Sequence, residues 1–247
     1  MFIAFHVTQV GKRTWNGGVV MKSAIFEDLG VAEAVAFPPR RASKVYRLLG
    51  KRIFDIAFAL LILPLILPVL AVLWALTRLD GGPGFYTQVR VGQDGRKFNC
   101  FKIRSMVINA DAVLHEMCAR DPAMAHEWHV HQKLDNDPRI TRVGAFVRAT
   151  SLDELPQVFN ILMGDMSFVG PRPFTDDQET LYRKGGGKAY FALRPGITGL
   201  WQVFGRSQTT FMDRVNYDET YERQLGFLSD LSLILRTVSV VLNRTGK

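Results

Sequence analysis

The sequence predicts an α+β fold in which a single domain is attached to a membrane by one N-terminal helix. The attachment is predicted by Ile56–Leu76, a run of 21 residues without a charged side chain. About 170 residues follow this run, enough for one domain with its own hydrophobic core. Strand-like and helix-like patterns succeed one another in that part of the chain, which is typical of a mixed fold.

The apolar run is long enough for a membrane helix, but its two prolines alter the expected shape. A straight helix of this length measures about 31 Å, close to the thickness of a hydrocarbon core. Pro64 and Pro68 each lack a backbone N–H, so two successive turns lose a hydrogen bond and we expect a sharp bend near the middle. Two topologies remain open: a spanning helix with a proline kink, and a proline-bent re-entrant (monotopic) helix.

Basic residues on both sides of the run favour the re-entrant topology. No acid occurs among residues 38–52, and the basic segment after the run contains only two acids, Asp80 and Asp94. The cations are Arg40, Arg41, Lys44, Arg47, Lys51 and Arg52 before the run, and Arg78, Arg90, Arg96, Lys97, Lys102 and Arg104 after it. Because Lys and Arg collect on the cytoplasmic side, a helix that enters and leaves by the cytoplasmic leaflet places both flanks beside anionic lipids.

The net charge of +8 would also suit nucleic acid or phosphorylated substrates. The chain carries no nucleic-acid-binding motif, so we expect no nucleic-acid partner and assign the charge to the membrane and to phosphate groups. The predicted division of the chain is a poorly ordered N-terminal extension (1–40), a basic flank with the re-entrant membrane helix (41–80) and a cytoplasmic domain (81–247).

Within the cytoplasmic domain, the pattern predicts the following elements in order. Phe85–Val91 and Arg96–Ile103 are rich in aromatic and β-branched residues on either side of a Gly/Asp turn, which predicts a β-hairpin. Periodic apolar spacing predicts helices, and a short apolar run predicts one buried strand, Met166–Val169. The predicted helices are Ala110–Met117, a helix that begins near Asp153, Asp213–Leu225 and Leu231–Leu242.

The segment Asp135-Asn-Asp137 resembles the Asp-X-Asp signature with which many glycosyltransferases hold a metal-bound nucleotide sugar. A turn before Pro138, in which an Asp side chain caps the backbone, also explains this segment. One functional hypothesis is therefore a metal-dependent UDP-sugar glycosyltransferase that uses Asp135 and Asp137.

Asp153 and Glu154 have both a structural and a functional interpretation. Ser151 with Glu154 fits a capping box, and Asp153 is an alternative N-cap residue. On spacing alone the structural interpretation is favoured, and it would leave the protein a non-catalytic membrane scaffold. In the functional interpretation, a carboxylate kept ionised by the helix dipole binds Mg²⁺ together with a diphosphate, or attacks phosphorus as a nucleophile.

Three cations are candidates to converge on these carboxylates: Lys102, Arg148 and Arg172. Arg172 stands between two prolines whose rings fix the backbone, so less entropy is lost when the guanidinium binds a phosphate. An ion pair of Arg172 with Asp165 or Glu154 that only holds the loop is the alternative.

Five motifs occur in order along the chain: Lys51-Arg-Ile-Phe-Asp55, Phe101-Lys-Ile-Arg-Ser-Met106, Ser151-Leu-Asp-Glu154, Gly164-Asp-Met-Ser-Phe-Val-Gly-Pro-Arg-Pro173 and Arg194-Pro-Gly-Ile-Thr-Gly199. Together they resemble the bacterial sugar transferase family, the monotopic polyprenyl-phosphate hexose-1-phosphate transferases. The segment Cys118–Ile140 is similar to members of the exopolysaccharide type. The family's membrane helix bends at a Ser-Pro pair, where this chain has Leu67-Pro68.

The resemblance implies that the domain transfers hexose 1-phosphate from a UDP-hexose (galactose or glucose) to undecaprenyl phosphate. UMP would be released, and the reaction would prime exopolysaccharide synthesis. The resemblance also implies a phosphosugar intermediate on Asp153, assisted by Glu154, with both carboxylates holding Mg²⁺. Substrate or phosphate binding is implied for Lys102, Arg104, Arg148, Arg172 and Asp218. The implied location is the bacterial inner membrane, with the catalytic domain on the cytoplasmic face, and an oligomer remains open.

Overall fold

The fold consists of one long apolar helix followed by short strands and helices. A computed structural model gives the placement of residues 44–131, 134, 136–205, 209 and 211–242. The helices are α1 Lys51–Arg78, α2 Ala110–Arg120, α3 Pro122–His131, α4 Arg142–Ala149, α5 Gln157–Met163, α6 Asp176–Lys184, α7 Ala189–Ala192, α8 Leu200–Phe204, α9 Arg214–Gln224 and α10 Phe227–Leu242. The strands are β1 Phe85–Val91, β2 Lys97–Ile103, β3 Ser167–Val169 and β4 Gly196–Thr198.

This mixture of helices and strands confirms the predicted α+β character of the described part of the chain. The predicted extension, residues 1–40, lies outside the described residues. The described residues belong to one compact unit that includes α1. A π-helical turn, Tyr46–Gly50, leads directly into that helix.

The predicted β-hairpin is confirmed. Strands β1 and β2 pair antiparallel, with Phe85 opposite Ile103 and Val91 opposite Lys97. The turn between them contains Asp94 with a φ of 57° and Gly95 with a φ of 77°. Such left-handed conformations suit Asp and Gly, which is why this pair can reverse the chain in a tight turn.

The second sheet is a short parallel pair, β3 with β4. The amide of Gly170 donates to the carbonyl of Thr198 at 2.8 Å, and the amide of Gly196 donates to the carbonyl of Pro171 at 2.8 Å. A side chain at Gly196 would collide with the backbone of Gly170. The loop that carries Arg172 is therefore held directly against β4.

Buried apolar side chains form two clusters that meet the two ends of the hairpin. The cluster near the hairpin turn contains Val91, Phe174, Tyr182, Tyr190 and Val215. The cluster at the open end contains Leu70, Leu73, Ile103 and Val147. The second cluster joins α1 to β2 and α4, so the apolar helix is part of the core.

Only one face of α1 is buried. The buried positions recur at helical spacing near both ends, at Lys51, Asp55, Ala59, Leu70, Leu73 and Thr77. On the opposite face, Leu61 and Leu65 are 72% and 74% exposed. The helix continues through Pro64 and Pro68, so the expected bend does not interrupt it. A contiguous apolar surface of this kind marks a contact with a membrane or another protein.

The first turns of α1 are tied to the domain by hydrogen bonds. Arg52 donates to the carbonyl of Ile161 at 2.5 Å and to the next carbonyl at 2.9 Å, both in the last turn of α5. The carboxylate of Asp55 accepts from the hydroxyl of Ser167 at 2.9 Å and from the next amide at 3.1 Å. Helix α1 is therefore fixed to both α5 and β3.

A buried ion pair strengthens the same junction. Lys51 donates to Asp230 of α10 at 2.8 Å and to the hydroxyl of Tyr221 at 3.0 Å. The hydroxyl of Tyr46 donates to Asp230 at 2.8 Å. Because the buried lysine and the buried aspartate have each other and further polar partners, neither charge is left uncompensated in the interior.

The other end of α1 is tied to the same domain by Arg104. Its guanidinium donates to the carbonyls of Thr77 at 2.9 Å, Pro83 at 2.6 Å and Met106 at 2.7 Å, and it forms an ion pair with Asp80. Arg104 is buried, and its bond to Thr77 satisfies one of the carbonyls that the C-terminal end of α1 leaves without an intrahelical donor. The structure thus places Arg104 away from the other predicted phosphate-binding cations, and we assign it a structural role.

We predict that Arg104→Gln destabilises the protein by about 2–4 kcal/mol, because the buried carbonyl of Thr77 and two partly buried carbonyls lose their donor and Asp80 loses its partner. Denaturant unfolding in detergent measures this loss. The affinity of the folded fraction for the expected UDP-hexose should stay within about twofold of the wild type. Arg96→Gln, at an exposed site in the hairpin, is the matched control. A selective loss of UDP-hexose affinity at unchanged stability would contradict the structural role.

Candidate active site

The two adjacent acids lie in a 3₁₀ turn, Leu152–Glu154, between α4 and α5. The turn follows Ser151, whose φ of 58° redirects the chain after α4. Helix α5 begins only at Gln157, and its N-cap is Pro156, without a side-chain hydrogen bond. The predicted capping box and the predicted N-cap role of Asp153 are therefore wrong. Neither carboxylate caps α5, so the structural explanation for the pair is removed.

Lys102 of β2 lies between the two carboxylates. Its Nζ donates to Oε1 of Glu154 at 3.2 Å and lies 3.8 Å from Oδ2 of Asp153. Nη2 of Arg172, from the loop after β3, lies 3.6 Å from the same oxygen of Glu154. The structure thus brings together four predicted site residues that come from three separate segments of the chain.

Arg148 lies on the Asp153 side of this group. It belongs to the last turn of α4, and its Nε donates to the hydroxyl of Ser105 at 2.9 Å. Its positive charge favours the ionised form of Asp153. Of the predicted basic site residues, Lys102, Arg148 and Arg172 surround the carboxylates, whereas Arg104 does not.

The two carboxylates differ in their proton affinity. Burial raises the pKa of Asp153, and the charge of Glu154 adds to this, against the opposing effects of Lys102 and Arg148. Burial would also raise the pKa of Glu154, but Lys102 and Arg172 outweigh it, so the net shift of that pKa is downward. Because α5 begins four residues after Asp153, the expected lowering of its pKa by the helix dipole is wrong. Neighbouring acids shifted in opposite directions are suited to different tasks.

A pocket opens beside Glu154. Its walls come from both strands of the hairpin, the first turn of α5, the Arg172 loop and β4: Arg90, Cys100, Lys102, Glu154, Gln157, Arg172, Pro173, Gly196 and Ile197. Sequence reasoning missed Arg90 and Gln157. The register of the hairpin gives the missing signal for Arg90. It lies opposite Phe98, four pairs along from the Tyr86–Lys102 pair, and an even number of pairs places it on the same face as Lys102.

Asp218 does not line this pocket but lies behind it. Its buried carboxylate accepts a hydrogen bond from the hydroxyl of Tyr182 at 2.9 Å and interacts electrostatically with Arg214. Arg214 is itself buried, is stacked against Trp201 and donates from Nη2 to the backbone carbonyl of Arg172 at 2.5 Å. Asp218 therefore supports the Arg172 loop through Arg214, and it does not contact a ligand in the pocket directly.

The acids of the alternative glycosyltransferase hypothesis are placed differently. Both oxygens of Asp137 accept hydrogen bonds from Arg139, at 2.8 and 2.7 Å, and both side chains are buried. A carboxylate committed to such a bidentate pair is not available to a metal ion. Asp135 lies outside the described residues. Among the described residues, no three His, Cys, Asp or Glu side chains are grouped so as to hold a metal by themselves.

Comparison with known proteins identifies the family to which this geometry corresponds. The sequence model for the family described as bacterial sugar transferase matches residues 46–244. A UDP-galactose-lipid carrier transferase of Erwinia amylovora is 47% identical over 196 residues, which is 79% of this chain and 41% of that protein. Exopolysaccharide production protein ExoY of Sinorhizobium fredii is 41% identical over 194 residues, 78% of this chain and 85% of that protein.

A further relative carries a different sugar in its name. The UDP-glucose:undecaprenyl-phosphate glucose-1-phosphate transferase of Klebsiella pneumoniae is 40% identical over 196 residues, 76% of this chain and 39% of that protein. The match thus spans only about two fifths of the length of the Erwinia and Klebsiella proteins. Sequence similarity at this level does not separate galactose from glucose.

We predict that Asp218→Asn changes the pH dependence of stability. Burial raises the pKa of Asp218 to about 7, despite Arg214 and the hydrogen bond from Tyr182. The same group titrates near pH 4 in the unfolded chain, so between about pH 4 and pH 7 the folded protein binds the extra proton and its stability falls as the pH rises. Asparagine lacks this titration. The free energy of unfolding of the variant, relative to wild type, should therefore rise by about 2 kcal/mol between about pH 5 and pH 7.

Denaturant unfolding at both pH values measures this difference. Asp94→Asn, which removes an acid from the exposed hairpin turn, is the matched control for the change from a carboxylate to an amide. A stability difference for Asp218→Asn that does not vary with pH would mean that Asp218 stays ionised beside Arg214, contrary to the prediction.

Proposed function

The chain belongs to the bacterial sugar transferase family, and we propose that it transfers hexose 1-phosphate from a UDP-hexose to undecaprenyl phosphate with release of UMP. The proposed reaction primes exopolysaccharide synthesis, with galactose or glucose as the sugar. The names of the relatives support the reaction class, since one is a UDP-galactose-lipid carrier transferase and another transfers glucose 1-phosphate from UDP-glucose to undecaprenyl phosphate. One structural observation carries the proposal. Asp153 and Glu154 cap no helix and are surrounded by three cations, on a domain that is attached to an exposed apolar helix.

The first proposed step forms a covalent intermediate on Asp153. An oxygen of its carboxylate attacks the phosphorus that carries the sugar, and the bond from that phosphorus to the bridging oxygen breaks. UMP leaves with the bridging oxygen and its electron pair. Lys102 and Arg172 lie where they can compensate the negative charge of the diphosphate, which would otherwise repel a carboxylate nucleophile.

The second proposed step returns the phosphosugar to a lipid. An oxygen of undecaprenyl phosphate attacks the same phosphorus, and Asp153 leaves as a free carboxylate. A polyprenyl chain does not leave the bilayer readily, because each buried methylene contributes about 0.8 kcal/mol. An enzyme held at the membrane surface therefore meets the lipid phosphate at the height of the headgroups, and the soluble donor and the lipid acceptor use the site in turn.

The carboxylate pair fits a Mg²⁺ ion that is bound together with the substrate. Mg²⁺ is commonly held by one or two carboxylates plus phosphate oxygens and water, and Asp153 and Glu154 supply two such carboxylates. The absence of a third acidic or imidazole ligand nearby, among the described residues, agrees with a metal that needs the substrate to complete its coordination. When bound, Mg²⁺ would neutralise phosphate charge, while Lys102 holds the two acids in position.

We also propose that α1 is re-entrant and that the domain lies on the cytoplasmic face of the bacterial inner membrane. Both ends of α1 are tied to one domain, through Arg52 and Asp55 at the start and through Arg104 at the end. A spanning helix would carry its two ends to opposite sides of the bilayer, which these contacts oppose. Basic flanks at both ends support contact with anionic lipids of the cytoplasmic leaflet.

We predict that Asp153→Asn lowers UMP release from UDP-hexose by at least about 10³-fold, because the attacking oxygen is lost. Incubation with UDP-hexose but without lipid should give a protein whose intact mass includes one hexose phosphate. The wild type and Glu154→Gln should carry this adduct, and Asp153→Asn should not. Glu154→Gln is the matched control, since it changes the neighbouring charge and keeps the nucleophile.

Other outcomes identify the rival functions. Undiminished UMP release by Asp153→Asn would overturn the covalent mechanism. Release of UDP instead of UMP would indicate a glycosyltransferase, and release of neither nucleotide with any UDP-hexose would indicate a non-catalytic scaffold. A panel of UDP-sugars in the same assay identifies the preferred hexose.

We predict that both ends of α1 face the cytoplasm. Single cysteines at Lys44 and Asp94, introduced into a Cys118→Ser background, should react with a membrane-impermeant maleimide in inverted membrane vesicles and not in spheroplasts. The background protein, with only the buried Cys100, is the control. Labelling of one site in spheroplasts and the other only in inverted vesicles would mean that α1 spans the membrane.

A further inference from the structure

Arg90 is a half-buried arginine that lines the pocket. Its guanidinium donates to Oε1 of Gln88 at 2.6 Å, but no carboxylate among the described residues forms an ion pair with it. By contrast, two buried cations elsewhere in the described part of the chain form ion pairs, Lys51 with Asp230 and Arg139 with Asp137. Burial lowers the pKa of Arg90, and the charge of Arg172 adds to this effect.

The pocket therefore has an excess of positive charge. Three cations, Arg90, Lys102 and Arg172, line it, and Glu154 is the only carboxylate among its lining residues. Partly buried like charges oppose one another, and a dianionic ligand between them would relieve that repulsion. Glu154 compensates one of the three positive charges, and two remain. The pocket is thus suited to the negative charge of a phosphate group.

The cations are also divided between the two carboxylates. The charges of Lys102 and Arg148 favour the ionised form of Asp153. The charges of Lys102, Arg172 and Arg90 favour the ionised form of Glu154. The pocket opens on the Glu154 side, and Asp153 is not among its lining residues. A phosphorus atom attacked by Asp153 would consequently lie between this acid and the pocket.

We propose that Arg90 and Arg172 form a subsite for the phosphate that leaves the donor, so that Arg90 binds the phosphate of UMP. The inference rests on the proposed function. In phosphoryl transfer the attacking and leaving oxygens lie roughly in line on opposite sides of phosphorus. When an oxygen of Asp153 bonds to the phosphorus that carries the sugar, the bridging oxygen departs with its electron pair on the far side, toward Arg90 and Arg172. Two guanidinium groups there compensate the charge that develops on the leaving phosphate.

The same geometry extends to the acceptor. Once the phosphosugar is on Asp153, the in-line position opposite that acid is the one that UMP has left. The phosphate of the lipid must attack from this position, so it enters the Arg90–Arg172 subsite in its turn. UMP and the lipid phosphate therefore compete for one subsite.

Binding of UMP and of uridine, measured by titration of the full-length protein in detergent without turnover, tests the proposal. Arg90→Gln should weaken UMP binding by at least about tenfold and leave uridine binding within about twofold. Arg90→Lys, which keeps the charge but loses the bidentate geometry, should give an intermediate loss for UMP. Arg96→Gln, an equal charge change at an exposed position of the same hairpin, should affect neither ligand.

The outcomes separate the subsite from the reaction. Unchanged UMP affinity in Arg90→Gln overturns the proposal, and so does an equal loss for UMP and uridine in a variant with a normal melting temperature. If Arg90→Gln does not fold, Arg90→Lys becomes the deciding variant, and unchanged UMP affinity in folded Arg90→Lys overturns the proposal. Since the titration needs no chemistry, a selective loss of UMP affinity supports the subsite even if Asp153→Asn shows that the covalent mechanism is wrong.

Discussion

The arrangement of the site depends on the contacts that Lys102 makes with Asp153 and Glu154. Two neighbouring carboxylates repel each other, and the repulsion grows as water is excluded, so a fixed cation is needed beside them. The hairpin provides that cation and is itself held at both ends, since Val91 of β1 and Ile103 of β2 are buried in separate apolar clusters. A second cation, Arg172, lies on the loop that β4 holds in place. The cations that compensate the carboxylates are thus positioned by the two apolar clusters and by β4, which lie outside the site itself.

The apolar helix is joined to the same packing. It adds Leu70 and Leu73 to the cluster that contains Ile103, and Arg52 holds the last turn of the helix that follows the carboxylates. The site and the apolar helix are therefore parts of one core, with no linker between them. In the proposed reaction, whose acceptor stays in the bilayer, this connection would set the height of the site above the lipid surface.

Local patterns are sufficient for the hairpin and for five of the helices in the described part of the chain, α1, α2, α5, α9 and α10, because alternation and periodicity depend on neighbours in the sequence. They are not sufficient for side-chain roles. Arg104 lies two residues after Lys102 and would share its face if β2 continued, but the strand ends at Ile103 and the chain turns toward the end of α1. Asp218 is buried by contacts that no local pattern encodes. Arg90, in contrast, follows from the register of the hairpin, so counting pairs back from the turn would have found it.

The buried pair of Lys51 and Asp230 has a practical consequence for anyone who wishes to obtain a water-soluble form of the protein. Deleting the chain before Leu79 would remove the lysine and leave an aspartate in the interior without its counterion. It would also uncover Ile103 and Val147. We therefore expect truncation to destabilise the domain. Replacing the exposed leucines of α1 by polar residues would leave these buried contacts in place.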